Sequence, residues 1–539
     1  MGLDVFHVHG LRLIMISIST VSSLTSGLSG HVSSFVSRFG PGGLKAEMPP
    51  YSSLRRRRRF FFWATCSTLA ILTGVGPSCA APPAMTIDGK FLDWSDADPG
   101  QPLTARTDGR TLWIQLRLGA TPVSLQNLSA PWTMDIELDD DPSRTQRIVF
   151  SPESTGRGVH AEWIDGGVAV PHSPYDIHFL FAPTIAASRF ELSLRLAEPS
   201  GGIVRLDTGE GRPVLTTTFD ASVLPVSRPP AAAWPEKPPV ESIRVVSWNI
   251  LFGNILHKRE QAAPLLAAMQ PDILLLQELE DDQAPETIAE MLDDVLGTEG
   301  GRWQVASSPV GSGLRSMVAA RGGIQLPEAA RIPRLDAPDR FLKAAALGVP
   351  IEGRGLLLAT SVHLRCCGGP GEEADLQRIA EAISLGHVVD GIIEEREIER
   401  RQLATAIGRG GPAPSNGIAG LIIGGDLNLV GTRAPLTILS NRRAGFGEAD
   451  ESTDLVVADP MHVDGTSNAT WSDSQSSFTP GRLDYLLYSP ATLTATNAFI
   501  LDTARIDPAD LLRRSIAAKD TSDISDHAPL VLDLVFKER

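Results

Sequence analysis

The apolar positions of this chain change their period near residue 243. Between residues 85 and 225, short runs alternate apolar and polar side chains: 112–116, 132–138, 147–150 and 190–194. A period of two marks a strand buried on one face. Turn-forming clusters separate the runs, among them Thr107-Asp108-Gly109-Arg110 and Asp139-Asp140-Asp141-Pro142. No helical pattern of useful length intervenes, so the pattern predicts an all-β sandwich. From residue 243 onward, apolar runs of the kind buried on both faces alternate with helical stretches such as 264–269 and the charged 392–407. That grammar predicts a layered α/β fold. Residues 372–389 and 391–407 are expected as a pair of charged helices.

Two further stretches divide the chain. Residues 226–240 hold Pro229, Pro230, Pro235, Pro238 and Pro239 among alanines, which predicts an extended, semi-rigid linker. Near the N-terminus, residues 55–59 are five arginines, followed by an apolar run over 60–75 and the small-residue stretch Pro77-Ser78-Cys79-Ala80-Ala81-Pro82. This is the order of a secretory signal, with cleavage expected after Ala80. The run is short for a membrane anchor, which needs about 20 apolar residues. A complete signal could start at Met48, so residues 1–47 carry no weight in the fold. The expected domains are therefore an extension and signal over 1–80, a sandwich over 85–225, a linker over 226–240 and an α/β domain over 241–539. The mature chain is expected to be secreted, periplasmic or at the cell surface, monomeric, and without an integral membrane segment.

Charge narrows the partners. The whole chain carries a formal charge of -16, and residues 241–539 hold 27 Lys and Arg against 42 Asp and Glu. An acidic domain gains little from nonspecific attraction to polyphosphates, so nucleic acid is admitted as a partner but not favoured. Mean hydropathy is zero and 42% of residues are hydrophobic, the composition of a globular protein. With residues 1–80 removed, only the adjacent Cys366 and Cys367 remain, so no long-range disulfide framework is available. They read as two reduced thiols or as a strained vicinal disulfide.

The chemistry lies at the ends of strand-like runs in the second half. Runs over 244–248, 272–277, 356–362 and 421–425 lead to Asn249, Glu278, His363 and Asp426-Leu427-Asn428. Asp484 follows Gly481-Arg482-Leu483, and Asp526-His527 precedes the apolar 528–532. Any one of these could be a turn or cap residue. Together they would supply carboxylates, amides and imidazoles to one rim of packed sheets.

Two resemblances follow from these motifs. The opening Ile87-Asp88-Gly89-Lys90-Phe91-Leu92-Asp93-Trp94, with Asp108-Gly109-Arg110-Thr111-Leu112-Trp113-Ile114 and the acidic loop 139–141, resembles family-9-type carbohydrate-binding modules. That resemblance implies a carbohydrate partner, with Trp94, Trp113, Trp132 and Trp163 either stacking on sugars or filling the core. The acidic loop could hold calcium or be a solvated turn. In the second half, Ser247-Trp248-Asn249, Gln277-Glu278, His363-Leu364, Gly425-Asp426-Leu427-Asn428, Gly481-Arg482-Leu483-Asp484-Tyr485 and Ser525-Asp526-His527 come in the order of the endonuclease/exonuclease/phosphatase (deoxyribonuclease I-like) superfamily, which this half resembles. The resemblance implies a four-layer α/β/β/α sandwich and a Mg²⁺- or Mn²⁺-dependent phosphoesterase. It assigns Asn249, Glu278 and Asp526 to the metal site, and His363, Asp426, Asn428, Asp484 and His527 to catalysis. Either Asp426 or His527 would be the base. Thr470-Trp471 ahead of residues 478–482 resembles the phosphodiesterase and sphingomyelinase-type branches. The alternative is a surface glycan-binding protein in which the second half is a scaffold without activity. Nucleic acid, phospholipid headgroups and small organic phosphoesters all stay open as substrates.

Overall fold

The computed structural model describes residues 5–8, 11–14, 85–94, 100–152, 157–209, 211–220, 232–238, 241–311, 313–407, 417–441 and 454–538. Residues 1–80 form one unit, in which Val5–Val8 and Leu11–Ile14 pair as an antiparallel hairpin. The arginine run, the apolar stretch after it and the Ala80 junction lie outside the described residues. All that follows belongs to the second unit, residues 81–539. No helix among the described residues is long and apolar enough to cross a membrane.

The first part of this unit is the expected pair of sheets. A four-stranded sheet runs in the order Leu103–Thr107, Thr111–Arg117, Arg189–Arg195, Leu180–Ala182. A six-stranded sheet runs Leu215–Phe219, Gly202–Asp207, Trp132–Leu138, Asp141–Ser151, Gly158–Asp165, Val168–His172. Alternate residues of Trp132–Leu138 are buried, as the period of two predicts. Ile114 and Leu192 from one sheet meet Met134, Ile148 and Val204 from the other in a single core. Trp94, Trp113 and Trp132 are buried, so these rings fill core rather than offer a face to sugars. Residues 139 and 140 form the turn between two strands, and Asp141 opens the second strand, its Oδ1 accepting from Ser143.

The second part has four layers. A seven-stranded sheet runs Trp303–Ser307, Leu314–Arg321, Ile273–Glu280, Ile243–Asn249, Leu530–Phe536, Leu493–Ile500, Met461–His462. A six-stranded sheet runs Ile324–Gln325, Ala344–Ile351, Gly355–His363, Ile418–Asp426, Asp484–Tyr488, Val456–Val457. The strands are buried on both faces, and successive residues serve different layers. Val245, Ile273 and Leu275 face Leu357, Ala359, Ile422 and Leu486 between the sheets. Val246, Trp248, Leu274 and Leu276 face outward, onto a helical layer that includes Arg259–Met269 and Pro285–Leu296. On the other side, Leu358, Leu421, Ile423 and Leu487 pack on the helices Glu373–Ile407 and Ala434–Ser440. Ser361 joins the two sheets: its Oγ donates to Leu276 O and accepts from Gln277 Nε2, both at 2.9 Å.

The expected helix pair is one continuous helix, Glu373–Ile407. The break expected near Gly391 does not occur because Leu385, Val389, Ile392 and Ile393 form one apolar face across it. That packing outweighs the roughly 1 kcal/mol that glycine costs in a helix. The proline-rich stretch is not free over 232–238. Trp234 is 4% exposed within the helical-side core, and its Nε1 donates to Ala268 O at 3.3 Å.

The sandwich packs directly on the four-layer part. Val159 N donates to Ser477 O (2.8 Å), Ala186 N to Gly431 O (2.9 Å) and Arg482 N to Thr184 Oγ1 (2.9 Å). Gly158 sits in this contact at φ +130°, where a Cβ would lie 2.4 Å from Ser477 O. Only glycine permits that approach.

Candidate active site

Strand register brings the polar termini together. His363 pairs with Asp426 across parallel strands, and Asp426 pairs with Asp484 across antiparallel ones. Gly425 makes this possible: at φ +145° its missing Cβ would lie 1.9 Å from Val362 O. From the other sheet, Asn249 pairs with Gln277 and places Glu278 one residue beyond, at φ +62°. Asn428 also sits in the left-handed region, at φ +50°. Such backbone conformations cost about 1–3 kcal/mol each and concentrate at functional sites.

Side chains from both sheets then meet. Asn249 Nδ2 donates to Asp426 Oδ2 at 3.1 Å and lies 3.5 Å from His527 Nε2. Asp426 Oδ1 accepts from Asn428 N at 2.9 Å. His363 Nε2 lies 3.8 Å from Glu278 Oε1 and 3.7 Å from Asp426 Oδ2. His527 Nδ1 is 2.7 Å from Asp484 Oδ2, and its Nε2 is 3.8 Å from Asp426 Oδ2. Trp248 Nε1 donates to His527 O at 2.9 Å, and Ser525 Oγ donates to Asn249 O at 2.7 Å.

The environment sorts the charges. Burial, reinforced by the charges of Lys343 and His527, pulls the His363 imidazole down to about 3. Burial pushes the Asp426 carboxyl up to about 8, with His527 opposing and Asp484 and Glu278 adding to the rise. Burial alone would lower His527, but Asp484 and Asp426 overcome it and hold the imidazolium up to about 10. A buried neutral histidine beside crowded carboxylates suits a metal cation.

Ligand atoms of Glu278, His363 and Asp426 lie within 4.8 Å of one another, the one such group among the described residues. His363 Nδ1 and Asp484 Oδ1 are also buried without a hydrogen-bond partner. This donor set fits a divalent cation. It shares Glu278 with the expected metal set. Asn249 Oδ1 accepts from Leu251 N (3.2 Å), and Asp526 Oδ2 accepts from Trp471 Nε1 (2.7 Å). Asp526 thus stands half-buried beside the converging group rather than in it.

Sequence reasoning missed the far side of the site. A cavity of about 300 Å³ holds Glu278, His363, Asp426 and His527, and residues Gln126, Arg157 and Thr184 of the sandwich line it too. No local pattern marked these three. A wider cavity of about 870 Å³ shares Glu278 and His363 and is lined by Lys343, Arg340 and Arg365. Cys366, exposed, lines both cavities, and its sulfur lies 3.0 Å from that of Cys367; both are free thiols.

Paired sheets between helical layers, with carboxylates, amides and imidazoles at one rim, define a metal-dependent phosphoesterase class. The model of the Endonuclease/Exonuclease/phosphatase family matches residues 246–527, and the chain belongs to that family. Its members hydrolyse phosphoesters and are generally dependent on divalent metal. No curated protein sequence matches the chain. Among solved structures, the chain is similar to D. rerio TDP2 complexed with single strand DNA product, at 14% identity and TM-score 0.32, covering 55% of this chain and 99% of that one. The human Nocturnin catalytic domain with bound sulfate anion matches at 20% identity and TM-score 0.31, covering 55% and 94%. The AP endonuclease LMAP from Leishmania major matches at 11% identity and TM-score 0.31, covering 57% and 94%.

Proposed function

We propose that this chain is an exported phosphodiesterase that hydrolyses a phosphate ester by in-line attack of water, with Mg²⁺ or Mn²⁺ as its cation. The observation that carries the reading is the convergence of Glu278, His363 and Asp426 beside the Asp484–His527 pair. Glu278, Asp426 and His363 would hold the cation, and Asn249 and Asp526 support them from outside. A bound cation supplies polarisation of the phosphoryl oxygen and neutralises developing charge. Asn428 offers its amide to a phosphoryl oxygen. Water adds to phosphorus and loses its proton to Asp426 or His527, either of which must first give up the proton it holds at neutral pH, while the bond to the leaving oxygen breaks and that oxygen takes up a proton from the same group or from solvent. Asp484 keeps the His527 Nδ1 proton in place, so that Nε2 faces the cleft.

Export rests on the sequence order at residues 55–82, and N-terminal sequencing of secreted material should begin after Ala80. The boundaries 85–225, 226–240 and 241–539 are kept as the proposed domains. A carbohydrate partner would have to meet the sandwich away from the buried Trp94, Trp113 and Trp132. The reaction is tested with bis-p-nitrophenyl phosphate and Mg²⁺. Turnover should vanish with chelator and in Asp426→Ala; turnover that ignores both would sink the reading.

A further inference from the structure

The active-site cavity has walls from two different folds. One wall is the rim of the paired sheets. The other is the sandwich, through the turn carrying Gln126, through Arg157 and through Thr184.

This second wall is pinned at several points. Asn127 Nδ2 and Arg157 both donate to Glu372 Oε1, at 2.9 and 2.7 Å, beside the start of the long helix. Ser124 Oγ donates to Val430 O at 3.3 Å, on the loop that follows Asn428. Ser477 Oγ donates to Arg157 O at 2.7 Å, and Tyr175 Oη donates to Phe478 O at 3.0 Å. The wall is therefore fixed to the segments that carry catalytic side chains.

Gln126 is the group in this wall that calls for a ligand. It is only 6% exposed, it lines the cavity with Asp426 and His527, and no hydrogen bond from its amide is seen among the described residues. Its amide lines the cavity, so its two N–H donors and its oxygen can hydrogen-bond a ligand that enters there. The cavity on this side, about 300 Å³, lies at the small end of ligand pockets. A nucleic-acid strand lies along an open groove, whereas on this side the cavity is lined by Gln126, Arg157 and Thr184 of the sandwich.

We infer that the sandwich is a specificity wall of the active site. The Gln126 amide reads a hydrogen-bonding group on the ester, outside the reacting phosphate, and the substrate is a small phosphodiester with a polar, uncharged arm. This rests on the phosphodiesterase reading of the site. The sandwich-walled cavity takes the polar arm, and the wider cavity beside Glu278 and His363 takes the rest of the ester.

The test uses the mature full-length enzyme with Mg²⁺ and three probes: bis-p-nitrophenyl phosphate, glycerophosphodiesters (glycerophosphocholine and glycerophosphoinositol) and closed circular plasmid DNA. A glycerophosphodiester should be turned over with a higher kcat/KM than bis-p-nitrophenyl phosphate, and the plasmid should stay closed. Gln126→Met keeps the shape and removes the hydrogen bonds. It should lower the ratio of the two kcat/KM values by about tenfold, the size of one lost hydrogen bond, mostly through KM. Nicking of the plasmid at a rate comparable with small-ester hydrolysis would overturn the inference, and that arm needs no variant. So would an unchanged ratio in Gln126→Met of parental thermal stability, or glycerophosphodiesters that all fall below bis-p-nitrophenyl phosphate. Absence of metal-dependent turnover of bis-p-nitrophenyl phosphate would overturn the phosphodiesterase reading and the wall with it.

Discussion

Asp484 stands on the six-stranded sheet and holds His527, which leads into a strand of the seven-stranded sheet, through a 2.7 Å contact to Nδ1. The pair is buried, and it fixes both the ring orientation and the charge of the imidazole. Asp484→Asn removes the charge and keeps the shape. It should lower kcat by roughly 10²-fold or more, the range expected when an acid/base group loses its partner. A kcat within a few-fold of the parent, measured with bis-p-nitrophenyl phosphate, would assign the pair to structure alone.

Glu278→Gln keeps the size of the side chain and removes one negative ligand from the group with His363 and Asp426. The Mg²⁺ concentration needed for half-maximal activity should rise by at least about tenfold, since even groups one step removed from a metal cost 10–100-fold in affinity. Titration of the protein with Mn²⁺ alone, followed by calorimetry, reads the same loss without turnover. An unchanged Mn²⁺ affinity would place the cation elsewhere.

Arg244 and Asp533 form a fully buried bidentate pair at 2.7 and 2.8 Å, and Arg244 also donates to Met269 O at 3.1 Å and Glu236 O at 3.0 Å. Removing one partner strands the other charge in the interior. Arg244→Met should therefore destabilise the protein by about 3–5 kcal/mol. Urea unfolding measures this, and a loss below about 1 kcal/mol would mean that Asp533 finds another partner.

Glu191 supplies a pH dependence away from the catalytic cleft. It lies buried in the sandwich and accepts from the backbone N–H groups of Asp88 and Gly89. Burial pushes its carboxyl up to about 8, against the two N–H groups that favour the anion, with Asp93 and Asp88 adding to the rise. The folded state then keeps a proton that the unfolded chain releases near 4.5. The contribution is complete below about 4.5, declines as pH rises, and is gone above about 8. Between those limits stability should fall by at most about 1.4 kcal/mol per pH unit from this group. Glu191→Gln should flatten that part of the profile of thermal unfolding; an unaltered slope would rule Glu191 out as its source.

The site was legible because strands put chemistry at their ends. Asn249, Glu278, His363 and Asp426 lie at or near the end of runs whose apolar residues are buried in two layers, and Asp484 opens such a run, so order along the chain translated into position on one rim. Packing between distant segments was not legible. Asn127 meets Glu372 across 245 positions, and neither lies in a pattern that names the other. The single helix Glu373–Ile407 was divided because Gly391 suggests a stop locally, whereas its continuity is decided by the sheet beneath it. The proline-rich stretch suggested a spacer, yet Trp234 within it is anchored by an apolar pocket that only the folded second half provides.

The division of the proposed site between sheets has a practical consequence. Asn249, Glu278 and His527 travel with one sheet, and His363, Asp426 and Asp484 with the other. The seam between them is held by apolar packing and by Ser361 with Gln277. Turnover is therefore a gauge of sheet alignment, and on heating it should fade while each sheet still keeps its hydrogen-bonded ladder.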